Sequence, residues 1–133
     1  MPIPTKEMAQ EAQQGLDWRE EYGRGGTEVG VARARDISNR RELGIDTVRR
    51  MYSYFARHEV DKQADGFSAG EDGYPSAGRI AWALWGGDAG QSWSNKLVKQ
   101  IDAADAKKAK AATLASFAKR RDAQDRLNRA KLS

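Results

Sequence analysis

Residues 79–96 read RIAWALWGGDAGQSWSNK and hold three of the four tryptophans of the chain around a double glycine. Ile80, Ala81, Trp82, Leu84 and Trp85 make a short segment apolar nearly all the way round, the pattern of a helix enclosed by neighbours rather than lying on a surface. Gly86 and Gly87 can take the left-handed backbone that ends a helix, and Asp88 can cap the next one. The stretch is a buried helix, a hard stop and a second helix start. The core must close around it.

Working towards the N-terminus, Ser76 follows Pro75 and can cap the tryptophan helix. Residues 61–76, DKQADGFSAGEDGYPS, have the Gly, Asp, Ser and Pro content of an irregular loop, long enough that it must be tied down, functional or mobile. Before it, Val48, Met51, Tyr52 and Phe55 fall at i, i+3, i+4 and i+7, the clearest amphipathic signature in the chain. That helix follows the turn Leu43-Gly44-Ile45-Asp46 and runs to about residue 60. From Thr27 to about residue 39, Val29, Ala32 and Ile37, flanked by Val31 and Ala34, give a narrow apolar face among arginines. The first helix runs from about residue 6 to 22 behind a Thr5 N-cap, with Met8, Ala12 and Leu16 as its stripe and Trp18 and Tyr22 extending it. Gly15 weakens this helix by about 1 kcal/mol relative to alanine unless close packing requires it. Gly23 stops it, and Arg24-Gly25-Gly26-Thr27 repeats the sequence of helix end, paired glycines and capping residue seen at Trp85-Gly86-Gly87-Asp88.

On the C-terminal side, Trp93, Leu97, Ile101 and Ala104 continue one stripe. Apolar bulk then thins to alanine, with Leu114, Phe117 and Leu127 isolated, and no sustained heptad emerges. Such a helix needs a partner surface to be stable. The expected architecture is all-α: a compact bundle of four to five short helices in residues 1–101, followed by a long basic helical extension in residues 102–133. The expected core comprises Trp18, Val48, Met51, Tyr52, Phe55, Ile80, Trp82, Leu84, Trp85 and Leu97, leaving Trp93 as the tryptophan available for outside contact.

The formal charge of +4 is unevenly distributed: residues 102–133 carry 9 Lys/Arg against 4 Asp/Glu, and residues 1–101 carry 14 against 15. A basic appendage on a neutral body suits an acidic partner, either nucleic acid or an acidic protein face, although a lysine-rich solvated helix has the same composition. With no cysteine in the chain, disulfides, thiolate metal sites and cysteine nucleophiles are excluded together. No apolar run approaches the roughly 18 residues that a membrane-spanning helix needs. The opening MPIPTKEMAQ lacks the basic-then-apolar order of a secretory signal. The expectation is a soluble chain with no membrane partner.

Four arrangements bear on chemistry. The segment ARARDISNRRELGIDTVRRMYSYFARH invites a helix-turn-helix reading, in which Arg49, Arg50 and Arg57 would meet phosphates or base edges. The spacing after the turn is short by two residues, and the alternative is arginines on the wet face of a packed helical hairpin. Asp61, Asp65, Gly66 and Asp72 match four positions of a calcium loop, but Gln63 and the final Asp depart from it. The single histidine, His58, cannot assemble a zinc site or a triad and reads as a helix-end group bonded to a carbonyl or to Glu59 or Asp61. At the first double glycine, Arg24 is compatible with an anion, and a capped turn accounts for it equally simply. No catalytic residues, cofactor site or metal site is assigned, so the chain is expected not to be an enzyme.

Three motifs, GLDWREEYGRGGTEVGVARARDI (15–37), MYSYFARHEVDK (51–62) and RIAWALWGGDAGQSWSNK (79–96), resemble a family of small proteins encoded by tailed bacteriophages, in particular marine and cyanobacterial ones. The extension from residue 102 falls outside the resemblance. Such genes look to be associated with head and virion-assembly genes. This implies a virion structural or assembly protein present in many copies, located in the virion and in the host cytoplasm during assembly. It would bind capsid or connector proteins through helix faces and the basic tail. The alternative is a nucleic-acid-binding, helix-turn-helix-like protein packaged with the genome, and a third reading is a small regulator of a host protein. The contact residues expected on either main reading are Arg33, Arg35, Arg40, Arg41, Arg49, Arg50, Arg57, Lys107, Lys108, Lys110, Lys119, Arg120, Arg121, Arg126 and Arg129.

Overall fold

Capping side chains set where the first helices begin. Thr5 Oγ1 accepts the Met8 amide at 3.2 Å and opens α1 (Lys6–Tyr22), which closes on Gly23 at φ 63°. Thr27 does the same for α2 (Glu28–Ser38), accepting the Gly30 amide at 3.3 Å. Helix α3 (Ile45–His58) starts from Gly44 without a side-chain cap and passes into a 3-10 segment, Glu59–Gln63. Ser76 accepts the Arg79 amide at 3.0 Å and opens α4 (Ala77–Leu84), and the last helix, α5, is Gly87–Leu132. The computed structural model describes residues 2–132, and it is all-helical, with no strand among the described residues. The chain divides into two units, the first ending at Val98 and the second beginning at Lys99. Val98 is the last buried residue and Ile101 the last half-buried one, next to the change in charge after residue 101.

Within the first unit α1 packs on α2 and α4, and α3 packs on α4 and the 3-10 segment. Helices α2 and α3 make no close backbone approach among the described residues. They are therefore not the packed hairpin that the sequence suggests. The α1–α4 contact depends on Gly15, where an added Cβ would lie 2.7 Å from the Leu84 amide nitrogen and 3.0 Å from the Ala83 carbonyl carbon. Both are backbone atoms and cannot swing aside, so the close packing that would justify this glycine is present.

The core is built on Trp82, the largest fully buried side chain. Phe55 meets its ring edge-on at 4.7 Å, Phe67 at 5.9 Å, and Tyr54 lies at 6.3 Å. Its indole N–H donates to Asp88 Oδ1 at 3.0 Å, and the Lys62 ammonium stands 4.8 Å from the ring and 3.3 Å from the same carboxylate oxygen. Asp88 is thus not the N-cap of α5 that the sequence suggests. It sits in the helix's first turn and serves as the acceptor for a buried donor.

The loop after the 3-10 segment is tied down from several sides. Phe67 is buried, Ser76 donates its amide to the Gly66 carbonyl at 2.9 Å, and Tyr74 meets Trp18 edge-on at 5.7 Å. The Arg24 guanidinium donates to the carbonyls of Gly73 at 3.4 Å and Pro75 at 3.0 Å, so it serves the loop and not an anion. At the N-terminus, Pro4 is fully buried, Leu43 donates its amide to the Pro2 carbonyl at 2.9 Å, and Arg40 Nε donates to the Pro4 carbonyl at 2.8 Å.

Of the expected core, Val48, Met51, Phe55, Ile80, Trp82, Leu84 and Trp85 are buried, and Trp18 and Leu97 are half-buried. Tyr52 is a correction: it is 41% exposed, and Tyr54 at 6% takes the buried place. Trp82 and Trp85 lie to one side of α3, and stacking on Trp85 turns the buried arc towards Tyr54. The face of α2 is likewise rotated, with Gly30, Val31, Ala34 and Ile37 inside while Val29 is 59% exposed. An added Cβ at Gly30 would lie 3.3 Å from Trp85 Nε1, so the smallest residue faces the bulkiest neighbour. Trp93 is half-buried against the core.

Two stability predictions follow from these contacts. Gly15→Ala should destabilise the chain by about 1–3 kcal/mol in urea unfolding, because overpacking against fixed backbone outweighs the gain in helix propensity of about 1 kcal/mol. Asp88→Ala should cost about 1–2 kcal/mol through the orphaned indole N–H. In a Trp82→Phe background the same change should cost less than half as much, and equal costs would show that the hydrogen bond contributes nothing.

Candidate functional site

The first unit contains a pocket of about 760 Å³ between the start of α2, one face of α3, Asp61 and α4. Its α3 side carries Arg50, Ser53, Tyr54, Arg57 and His58 at helical spacing, with Arg49 beside them, and its far wall is Ala81 and Trp85. Positions 50, 53, 54, 57 and 58 fall on one face of a helix because they are spaced three and four apart. The backbones of Gly26 and Thr27 at the N-terminus of α2, and of Gly78 in the first turn of α4, complete the lining.

A stack of rings forms one wall. Tyr54 lies between Trp85 at 4.6 Å, nearly parallel at 9°, and His58 at 4.5 Å and 30°. The Arg33 guanidinium lies over the Trp85 ring at 5.9 Å. Both faces of Tyr54 are therefore covered, and its edge bears the hydroxyl. That hydroxyl is buried and has no hydrogen-bond partner. Burial pushes its pKa well above the usual tyrosine range; the Asp61 carboxylate adds to the rise and Arg57 opposes it. His58 Nδ1 and Asp61 Oδ2 share a hydrogen bond of 2.9 Å, one of the partners expected from sequence.

The expected contact residues divide by environment. Arg33 is a correction: its side chain is only 13% exposed, it pairs with Asp36 at 3.6 Å and it packs on Trp85, so it belongs to the interior. Arg41 is paired with Asp36 at 3.4 Å, Arg40 is tied to Pro4, and Arg35 is exposed. Arg49, Arg50 and Arg57 converge on the pocket, and no carboxylate pairs with Arg50 or Arg57 among the described residues. In the second unit Lys107, Lys108, Lys110, Lys119, Arg120, Arg121, Arg126 and Arg129 are all exposed, as are Leu114, Phe117 and Leu127. Sequence reasoning missed Tyr54 and Trp85 as parts of a site. The available signal was the i, i+3, i+4, i+7 recurrence of Arg50, Ser53, Tyr54 and Arg57 on one face.

Among the described residues no three His, Asp or Glu side chains converge to hold a metal ion, and no helix is long and apolar enough to cross a membrane. Comparisons with protein-family models, curated proteins and solved structures give no match.

The phenol of Tyr54 sets a pH dependence. As pH rises past about 10, the unfolded chain releases this proton and the folded chain keeps it, so stability falls by up to about 1.4 kcal/mol per pH unit. Below the unfolded value the contribution is fully present. Tyr54→Phe should remove this component, so that the variant gains on the natural chain between about pH 10 and 11 in urea titrations. Parallel stability curves through that range would rule the effect out.

Proposed function

We propose that this chain is a structural or assembly protein of a tailed-phage virion, docking on a capsid or connector protein through its basic helix. The observation that carries the reading is the state of residues 102–131: helical throughout, exposed throughout, and bearing Leu114, Phe117 and Leu127 at 61%, 58% and 58% exposure among the bases. These residues prolong α5 past its buried start without adding apolar burial of their own, and a helical stretch not supported by packing gains from a surface elsewhere. Large apolar side chains left among cations describe the complementary surface: acidic, with apolar depressions. The motif resemblance supplies the setting, namely virion and host cytoplasm during assembly, with many copies per particle.

The test is particle composition together with binding. Mass spectrometry of purified particles should find the chain at a fixed ratio to the head proteins, and Leu114→Glu with Phe117→Glu should abolish its incorporation. The competing reading, a nucleic-acid binder, predicts instead that full-length chain binds duplex DNA with affinity falling steeply with salt. It also predicts that the two glutamate substitutions act only through their charge, matched by placing acids at other exposed positions of α5. Absence of the chain from particles would overturn the virion proposal.

A further inference from the structure

The pocket of the first unit has features that docking through the basic helix does not use. Its volume, about 760 Å³, lies in the roughly 300–1,000 Å³ range of small-molecule sites. The N-terminus of α2 opens on it at Thr27, whereas that of α4 is already faced by the Asp61 carboxylate, whose Oδ2 would lie 3.6 Å from a Cβ placed on Gly78. Backbone N–H groups and the helix dipole at such ends favour anions. The opposite wall carries Arg50 and Arg57, neither of them ion-paired among the described residues, and the one carboxylate of the lining, Asp61, is bonded to His58. Between them stands Tyr54, 6% exposed, whose hydroxyl is a buried donor lacking an acceptor. The hydroxyl itself is closed off from the pocket, so Tyr54 acts here as a packed wall between the two arginines. Val29, Ala81 and Trp85 supply apolar surface beside these groups.

We propose that this pocket binds a phosphate monoester carried on a compact apolar body, the phosphate held by Arg50, Arg57 and the α2 N-terminus and the body by Val29, Ala81 and Trp85. A dianionic phosphate matches two guanidinium forks and a helix end better than a single carboxylate does, since it offers three acceptor oxygens. The ring stack also restricts the body. Trp85 is already stacked on Tyr54 and packed by Arg33, so a planar group meets its ring edge and neighbouring methyl groups. This site is independent of the virion reading, because its groups all lie outside the basic helix.

The test uses the full-length chain with phenyl phosphate, inorganic phosphate and benzoate, read by calorimetry and by amide NMR shifts. Phenyl phosphate should bind at least about tenfold more tightly than either of the others, with the largest shifts at Thr27, Val29, Ser53 and Gly78. Arg50→Gln and Arg57→Gln, both exposed and so expected to fold normally, should each weaken binding about tenfold, and Tyr54→Phe, which alters only a closed-off hydroxyl, should leave it unchanged. Circular dichroism of each variant checks the fold. Equal affinity for inorganic and phenyl phosphate, shifts confined to residues 99–132, or full binding by both arginine variants would each overturn the proposal.

Discussion

A buried indole N–H has to find an acceptor, and the first unit is arranged so that Trp82 finds one. The acceptor, Asp88, is six residues further along the chain. It can return to the ring only because the backbone reverses at Gly86 and Gly87, with φ of 107° and 65°. Any other residue there would be strained, and a Cβ on Gly87 would also lie 2.7 Å from the Glu11 carboxyl group of α1. The same turn therefore satisfies the core's largest donor, starts α5 and admits α1. Lys62 approaches the carboxylate and the ring together, which joins the 3-10 segment to this arrangement.

Much of the fold was legible because it rests on local signals. Thr5, Thr27 and Ser76 are capping residues whose preference for that place is a matter of side-chain length and oxygen position, and all three cap. The glycine pairs mark helix ends for equally local reasons. Rotation of a helix about its own axis was less legible. Periodicity placed Tyr52 and Val29 inside, but the buried arc is decided by neighbours on other helices, here the stacking of Trp85 on Tyr54 and the fit of Gly30 beneath the Trp85 indole. Tyr52 lies only about 40° round the helix from Val48, so a small rotation of the buried arc is enough to expose it.

The pocket was illegible for the same reason. Arg50 and Arg57 were visible as cations on α3, yet what makes them a site is the proximity of the α2 and α4 ends, distant in sequence. Charge alone did not separate them from Arg24, Arg33 and Arg40, whose guanidinium groups are engaged by carbonyls, a carboxylate and an indole. In an arginine-rich chain the informative distinction is between guanidinium groups already provided with partners and those that are not. Composition does not report it.

The loop between the 3-10 segment and α4 divides the same way on a smaller scale. Surface loops usually accept insertions and cuts anywhere along their length. Here Gly66, Phe67 and Pro75 are buried, Asp72 and Gly73 lie against Gly66 with the Gly73 carbonyl held by Arg24, and residues 68–71 between them are exposed. The segment acts as a wedge with a free rim: foreign sequence grafted into the rim leaves the wedge seated, whereas the same graft two or three residues to either side would pull Phe67 or Pro75 out of the core. A fusion tag or reporter peptide on this protein belongs in that rim.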